Sequence, residues 1–406
     1  MLIHDLFPAY DGLACNTGNL FITGLEKMGA DGCFLQLIYN VLTENTPVFY
    51  FDNRLSKGTE LLIKTKAESQ GYTIININNK MCEGTSFDLL SAFHTVDEKV
   101  DILCSLLSRP DDKGLFALQM CRYLRDAVLA TDERGRGASI RELLSLTVEE
   151  VQERLAASSR LSRSEFLEER SFLEATETYS LWGTINDRVH SLKACGLLDI
   201  LSGSRRFETV FGGKVLLLVS QRDDTFRTGQ VYSSLVNVFA SALVKFCSDR
   251  NDDTKPYHIF IHDSTELGRE LFAALLGVAQ ESMFGLPLCV YDTSVNKTID
   301  RHSEYVLDQF GAFAVFKTND GAYWSNFLGT ALVPDRAETY TRRKTPVMVS
   351  TGGGVVGRRT ARYEGTTVHR VEKPLYEARV FSGLNEKEVI FYNVYTNRKT
   401  RKKLEW

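Results

Sequence analysis

Apolar positions in the first eighty residues switch between two periods. Asn19 to Thr23 (NLFIT) and Thr46 to Phe51 (TPVFYF) are short β-rich runs. Between them, Leu35, Leu37, Ile38, Val41 and Leu42 within Phe34 to Leu42 fit one side of a helix. Thr59 to Glu68 repeats the helical spacing through Leu61, Leu62, Ile63 and Ala67, Gly71 marks a helix end, and Tyr72 to Ile77 (YTIINI) reads as a strand. Strands and helices in alternation imply a mostly parallel sheet covered by helices, an α/β class.

From about Ser86 to Leu201 the period becomes almost purely helical. Ser139 with Glu142, and Thr147 with Glu150, have capping-box spacing, while DERGRG (132 to 137) reads as an exposed loop. Strand candidates then return at Lys214 to Ser220, Tyr257 to His262, Leu288 to Tyr291 and Phe313 to Lys317, with helical patterns over Ser233 to Phe246 and Glu266 to Glu281. Past Asp335 the composition shifts to Arg, Thr and Gly; Val347 to Ser350 and Val389 to Thr396 suit edge strands, and the glycine-rich centre suits a loop. The expected organisation is an α/β core in two parts, 1–85 and 202–334, interrupted by a helical domain at 86–201 and followed by a β-leaning basic segment at 335–406.

Composition narrows the function classes. The 406 residues are 43% hydrophobic and 25% charged, ordinary for a globular chain with one large or several smaller cores. A formal net charge of −4 excludes a globally basic nucleic-acid binder and leaves room for a local basic patch. The 8 cysteines are scattered with no C-x-x-C pair, which argues against zinc or dithiol redox motifs and fits a reducing cytoplasm. No apolar run approaches the roughly 18 to 20 residues of a membrane helix, and MLIHDLFPAYDGL lacks the pattern of a signal peptide.

The sharpest chemical feature is NLFITGLEKMGADGC, residues 19–33. A phosphate loop, G-x-x-x-x-G-K-[ST] between strand and helix, wraps backbone N–H groups around phosphates, with its Lys on the β/γ oxygens and its hydroxyl on Mg²⁺. Gly24 and Gly29 keep that spacing, but Ala30 stands at the Lys position and Asp31 at the Ser/Thr position. Asp31 puts an anion where phosphate would sit, and only Lys27 offers a cation from within the loop. Taken alone, two glycines at this spacing fit a plain β-to-α turn better.

The order of later segments adds weight. GLEKMGADG is followed by PVFYFDNRLSKGTELL and GYTIININN, then by PYHIFIHDSTELGRELFAALLGVAQESMFGLPLCVYDTS, FGAFAVFKTNDGAYWSNFLG and EARVFSGLNEKEVIFY. In that order, from about Leu13 to Tyr395, the chain resembles the TraG/TraD-type coupling proteins of type IV secretion and conjugation, relatives of the FtsK/HerA pumps. The resemblance implies a RecA-like P-loop NTPase core with an inserted all-helical domain. It also implies apparatus partners, DNA-processing or adaptor proteins recognised by the helical domain, and a ring-forming oligomer or pairing with an active paralogue. It places the Walker B pair at Asp263 and Ser264, where the family has Asp-Glu, and the sensor position at Asp292, followed by Thr293; Gln280 stands where the family has Arg. With Mg²⁺-holding and water-activating letters changed together, the implied chain is a pseudo-ATPase with no resident cofactor, a scaffold or adaptor. The alternative is an active motor in which Lys27 and Asp263 hold ATP and Mg²⁺.

Three further patterns compete. His258 and His262 lie about 13 Å apart on a strand, too far to share a metal ion at roughly 3.3 Å per residue, so both read as structural. GGGVVG (352 to 357) matches a dinucleotide fingerprint but lacks the following helix, and reads as a loop. Arg342, Arg343, Lys344, Arg358, Arg359 and Arg362, with Arg398, Lys399, Arg401, Lys402 and Lys403, form the one basic concentration. They read as a solvated face or as a DNA-backbone patch, the third functional alternative.

Overall fold

Strands that are buried at every position must be covered on both faces, and most of the central strands here are of that kind. The computed structural model describes residues 18–52, 55–78, 81–109, 112, 114–131, 138–158, 161–220, 226–249, 256–281, 287–346 and 358–404. Val347 to Ser350, GGGVVG and DERGRG lie outside the described residues. The main sheet contains β1 (Asn19–Thr23), β2 (Val48–Asp52), β3 (Thr73–Asn78), β4 (Glu83–Gly84), β5 (Val215–Ser220), β6 (His258–His262), β7 (Leu288–Asp292), β8 (Phe310–Val315), β11 (Glu388–Asn393) and β12 (Arg398–Lys403). β1, β2, β5, β7 and β8 are buried along their full length.

The ten strands lie in the order β12-β11-β8-β1-β7-β6-β2-β5-β3-β4. From β8 to β3 every pairing is parallel, while β4, β11 and β12 add on antiparallel. On one face, Leu20, Ile22, Val48, Tyr50, Leu218, Phe260 and Ala312 pack with Phe34, Leu37, Ile38 and Val41 of helix α1 (Ala30–Val41). The alternate residues use the other face, where Phe21 meets Phe310 at 5.2 Å and Phe49 meets Phe211 at 5.7 Å between ring centroids. Period-2 alternation therefore divides two apolar layers rather than core from solvent.

Between β4 and β5 the chain is helical. After α2 (Lys57–Ser69) come α3 (Val96–Leu107), α4 (Leu115–Thr131), α5 (Ile140–Ser145), α6 (Val148–Ala157), α7 (Arg163–Leu173), α8 (Thr176–Ala194), α9 (Leu197–Leu201) and α10 (Phe207–Phe211). Thr147 and Glu150 form the expected reciprocal capping box, and Ser139 accepts from the Glu142 N–H. Two more boxes, Thr95 with Glu98 and Ser162 with Glu165, start α3 and α7. Each cap satisfies end N–H groups that would otherwise lack partners, worth about 1 kcal/mol. The remaining core helices are α11 (Phe226–Ser248), α12 (Arg269–Glu281) and α13 (Val295–His302).

Two compact units result: residues 1–318 with 385–406, and residues 319–384. The second contains α14 (Gly321–Phe327), an antiparallel hairpin of β9 (Thr330–Pro346) and β10 (Arg358–Pro374), and α15 (Ala378–Ser382). The basic tail, read from sequence as following the last strand, itself forms β12 at the sheet edge, so β11 lies one place further in. Val389 and Ile390 of β11 are buried, whereas β12 is exposed or half-buried throughout; charged residues on an edge strand discourage pairing with other chains. Among the described residues, no helix is long and apolar enough to cross a membrane.

Candidate functional site

Side chains at the carboxyl ends of buried parallel strands face the crevice beyond the sheet, where open α/β folds bind ligands. Thr23, Asp52, His262 and Asp292 end β1, β2, β6 and β7. The register sets Thr23 beside Asp292, and Asp52 beside His262. β1 lies between β7 and β8, so the loop after it opens at a change in strand order.

That loop carries the sequence-derived glycines. Gly29 has φ +102° and caps the N-terminus of α1, and Lys27, exposed, also has positive φ at +62°. The loop is held from the protein side. The Leu25 N–H donates to the Lys317 carbonyl at 2.7 Å, the Met28 N–H to the Leu25 carbonyl at 3.2 Å, and the Lys387 N–H to the Met28 carbonyl at 3.3 Å. A Cβ on Gly24 would fall 2.6 Å from Phe316 Cβ, and one on Gly29 3.0 Å from Lys387 Cα. Gly29→Ala, combining this contact with a left-handed backbone, is expected to destabilise by about 1 to 2 kcal/mol. A lowered thermal midpoint checks it, and an unchanged midpoint would show that the loop relaxes freely.

Ala30 is fully buried in the apolar core, and Asp31 is exposed in the first turn of α1. The carboxylate is favourable at a helix N-terminus, but it occupies the end of the dipole that would attract phosphate. With Ala30 at the motif's Lys position, Asp31 at its hydroxyl position and two loop N–H groups already donated to carbonyls, these residues do not fit a magnesium triphosphate.

Beside the loop lies a cavity of about 400 Å³. Its walls include Glu26, Lys27, Asp31, Phe34, Tyr50, Asp52, Ser56, His262 and Tyr291. The His262 ring stacks on Tyr291 with centroids 4.8 Å apart, and its Nδ1 lies 2.9 Å from Asp52 Oδ1. The Tyr50 hydroxyl donates to the other oxygen of Asp52. Burial works to lower the His262 pKa, but the Asp52 hydrogen bond and charge, with Asp263 and Asp292, outweigh it and raise the value. His258, at the other end of β6, meets Glu44 at 3.2 Å, so the two histidines serve separate partners. Among the described residues, no group of three or more His, Cys, Asp or Glu is arranged to hold a metal.

The turn after β6 contains Asp263 and Ser264. Asp263 has φ +68°, and its Oδ1 accepts from both the backbone N–H and the hydroxyl of Thr265. Ser264 is fully buried and donates from its N–H (2.7 Å) and its hydroxyl (2.6 Å) to the two oxygens of Asp292. The Thr298 hydroxyl adds a third bond to Asp292 at 2.6 Å, and His302 Nε2 lies 2.9 Å from the Ser264 carbonyl. Burial raises the Asp292 pKa despite these donors. Gln280, further along α12, bonds the Gln309 carbonyl at 3.1 Å.

The basic residues divide between the two units. Arg342, Arg343, Arg358 and Arg359 lie on the hairpin, with Arg342 directly opposite Arg362 and Arg359 opposite Thr345; their side chains lie outside the description. On β12, Arg401 pairs with Glu388 at 3.0 Å and Lys399 sits 4.9 Å from the Tyr392 ring centroid, while Arg398 and Lys402 are exposed.

Sequence reasoning missed Tyr50, Asp52, Tyr291 and the cavity-facing role of His262. A usable signal was present: in β2 and β6, as in β7, an apolar run ends on a single polar residue.

No protein-family profile and no curated protein matches the chain. Solved structures do. The bacterial conjugative coupling protein TrwBΔN70, in a trigonal form with sulphate, is 14% identical with a TM-score of 0.59, covering 95% of this chain and 84% of that one. The plasmid coupling protein TrwB with ADP and Mg²⁺ is 12% identical at TM-score 0.59 and the same coverage. VirB4 of Thermoanaerobacter pseudethanolicus is 10% identical at TM-score 0.50, covering 96% of this chain and 89% of that one. Identities this low speak to architecture alone, and the architecture is the RecA-like P-loop NTPase fold of TrwB and VirB4.

Proposed function

We propose that this chain is a coupling-protein-like member of a type IV secretion or conjugative transfer apparatus that has given up ATP hydrolysis and acts as a scaffold or substrate adaptor. The carrying observation is the buried network of Ser264, Asp292 and Thr298 at the ends of β6 and β7. A residue that polarises an attacking water has to face the ligand; Ser264 instead turns inward, with its hydroxyl donated to Asp292. Ala30 and Asp31 in the first turn of α1 support the same reading from the loop side. One solved structure of the same fold, TrwB, holds ADP and Mg²⁺, which makes a magnesium nucleotide the ligand to test on this chain.

The helical segment, residues 86–201, is the proposed surface for apparatus or substrate proteins, with residues 1–85 and 202–334 as the core and 335–406 as a basic C-terminal segment. A cytoplasmic location, and assembly with further copies or an active paralogue, belong to the same proposal. The runner-up is a working ATPase, favoured by Lys27, which lines the cavity. The DNA-binding reading keeps the Arg342 and Arg362 pair but loses Arg401 to Glu388.

The test is nucleotide binding and turnover on the purified chain. Millimolar ATP with Mg²⁺ is expected to leave the thermal midpoint unmoved, because only a ligand that binds the native state raises it. Turnover above about 0.1 per second, against a typical enzyme near 10 per second, would overturn the proposal. An ATP-dependent shift abolished by Lys27→Ala would establish the runner-up, and salt-sensitive DNA binding would favour the third reading.

A further inference from the structure

Two cysteines far apart in sequence meet where the sheet edge touches the helical segment. Cys82 lies in the turn between β3 and β4, and Cys195 caps the C-terminus of α8. The Cys82 N–H donates to the Cys195 carbonyl at 2.8 Å. A backbone bond of that length holds two Cα atoms roughly 5 to 6 Å apart, inside the disulfide range of about 4.4 to 6.8 Å. The two thiols lie within hydrogen-bonding reach of each other. Cys82 Sγ also lies 3.5 Å from the Asn78 carbonyl, and Cys195 Sγ 3.2 Å from the Leu192 carbonyl. Both residues are half-buried, so a small oxidant can reach them.

We propose that Cys82 and Cys195 form a reversible redox pair, closed by hydrogen peroxide into a disulfide that ties the end of α8 to the edge of the core sheet. The roles are asymmetric. The Cys82 thiol and the Leu197 N–H hold the Cys195 sulfur as an anion against the opposing effect of burial, lowering its pKa. The Cys82 pKa is raised, by its hydrogen bond to that sulfur first and by partial burial second. Because the Cys195 sulfur also accepts from the Leu197 N–H, at the first position of α9, Cys195 is the attacking sulfur and Cys82 the resolving one.

The Cys195 thiolate attacks one peroxide oxygen; the O–O bond breaks, and hydroxide leaves a sulfenic acid behind. The Cys82 sulfur then attacks the sulfenic sulfur, the S–O bond breaks, and water departs with the Cys82 proton. The two thiols lose two electrons and two protons in all, and the peroxide becomes two waters.

A second close pair provides an internal control. Cys104 on α3 and Cys121 on α4 also bring their thiols together. They sit on packed helices, whose axes normally stay about 8 to 10 Å apart, and burial, the largest cause, raises the Cys104 pKa. This pair is expected to oxidise later.

The experiment treats the full-length chain with graded peroxide and maps peptides without reduction. The expected product is a Cys82–Cys195 cross-linked peptide, a loss of two free thiols, and reversal by dithiothreitol, all before any Cys104–Cys121 link. Cys195→Ser removes the link, whereas Cys82→Ser leaves a sulfenic acid on Cys195 that dimedone traps. Absence of the cross-linked peptide, or earlier oxidation of Cys104 and Cys121, overturns the assignment. If the link forms but hydrogen exchange in the last turn of α8 stays unchanged, the tying role is overturned.

Discussion

Arg188→Ala is expected to destabilise the protein by about 3 to 5 kcal/mol, the cost of removing one partner from a buried ion pair. Arg188, on α8, is 8% exposed. Its Nη2 donates to Asp112 Oδ1 at 2.7 Å, and Nη1 donates to the other Asp112 oxygen and to the Leu107 carbonyl at 2.8 Å. The guanidinium also lies 4.9 Å from the Phe116 ring centroid. Three segments, the end of α3, the start of α4 and the middle of α8, thus share one cation. Truncation strands a carboxylate and a carbonyl in a site with little water. Replacing both partners together, as Arg188→Met with Asp112→Leu, is expected to recover most of the loss, because two well-packed apolar groups incur no desolvation cost.

The pH dependence has a definite sign. Burial pushes the Asp112 carboxyl up, but the Arg188 guanidinium and the Arg109 N–H outweigh it and hold the pKa below its ordinary value. The unfolded chain therefore binds the proton more readily than the folded one. The stabilisation is complete above the unfolded carboxylate pKa, about 3.9, and is lost as pH falls below it. Thermal midpoints of wild type and Arg188→Ala should be well separated at pH 7 and draw together as pH falls below about 3.9. A gap that stays constant with pH would show that Asp112 is not the partner that matters.

Asp292→Ala is the second large effect, expected at about 3 kcal/mol or more. The substitution leaves the Ser264 N–H, the Ser264 hydroxyl and the Thr298 hydroxyl without their acceptor in a buried site. Each unsatisfied donor costs roughly 1 to 3 kcal/mol, reduced where a hydroxyl can rotate to another acceptor. Asp292→Asn keeps one carbonyl oxygen and should lose less.

Here the pH contribution runs the other way. Burial raises the Asp292 pKa, so the folded state favours the proton, and this carboxyl's contribution improves as pH falls through its folded pKa. The same variant separates a structural network from a catalytic one. If Asp292→Ala keeps the wild-type thermal midpoint and yet abolishes a measurable ATPase activity, the network is catalytic and the scaffold proposal fails.

How much of this was readable beforehand depends on how local each signal is. β1, β2, β5, β6 and β7 could be read directly, because a strand buried on both faces leaves a continuous apolar run. The caps at Ser139 and Thr147 were legible because a cap and its partner lie within one helical turn. β12 was not, because an edge strand of Arg and Lys has no apolar face to announce it; only its pairing with β11 makes it a strand. The candidate site was half legible. Gly24, Gly29, Ala30 and Asp31 belong to one loop, whereas Asp52 and His262 become neighbours only through the pairing of β2 with β6.

The letters of NLFITGLEKMGADGC by themselves determine that the loop has a phosphate-loop spacing, with an alanine in place of its lysine and an anion in place of its hydroxyl, because all are properties of one short segment. What the neighbouring strands set beside that loop is decided by the fold. Parallel pairing brings the ends of β6 and β7 together and closes Ser264 onto Asp292, and the approach of α8 to the β3–β4 turn sets Cys195 against Cys82. Those contacts join residues with no local relation in the chain, so no periodicity or spacing encodes them, and only the packed sheet and helices bring them within bonding distance.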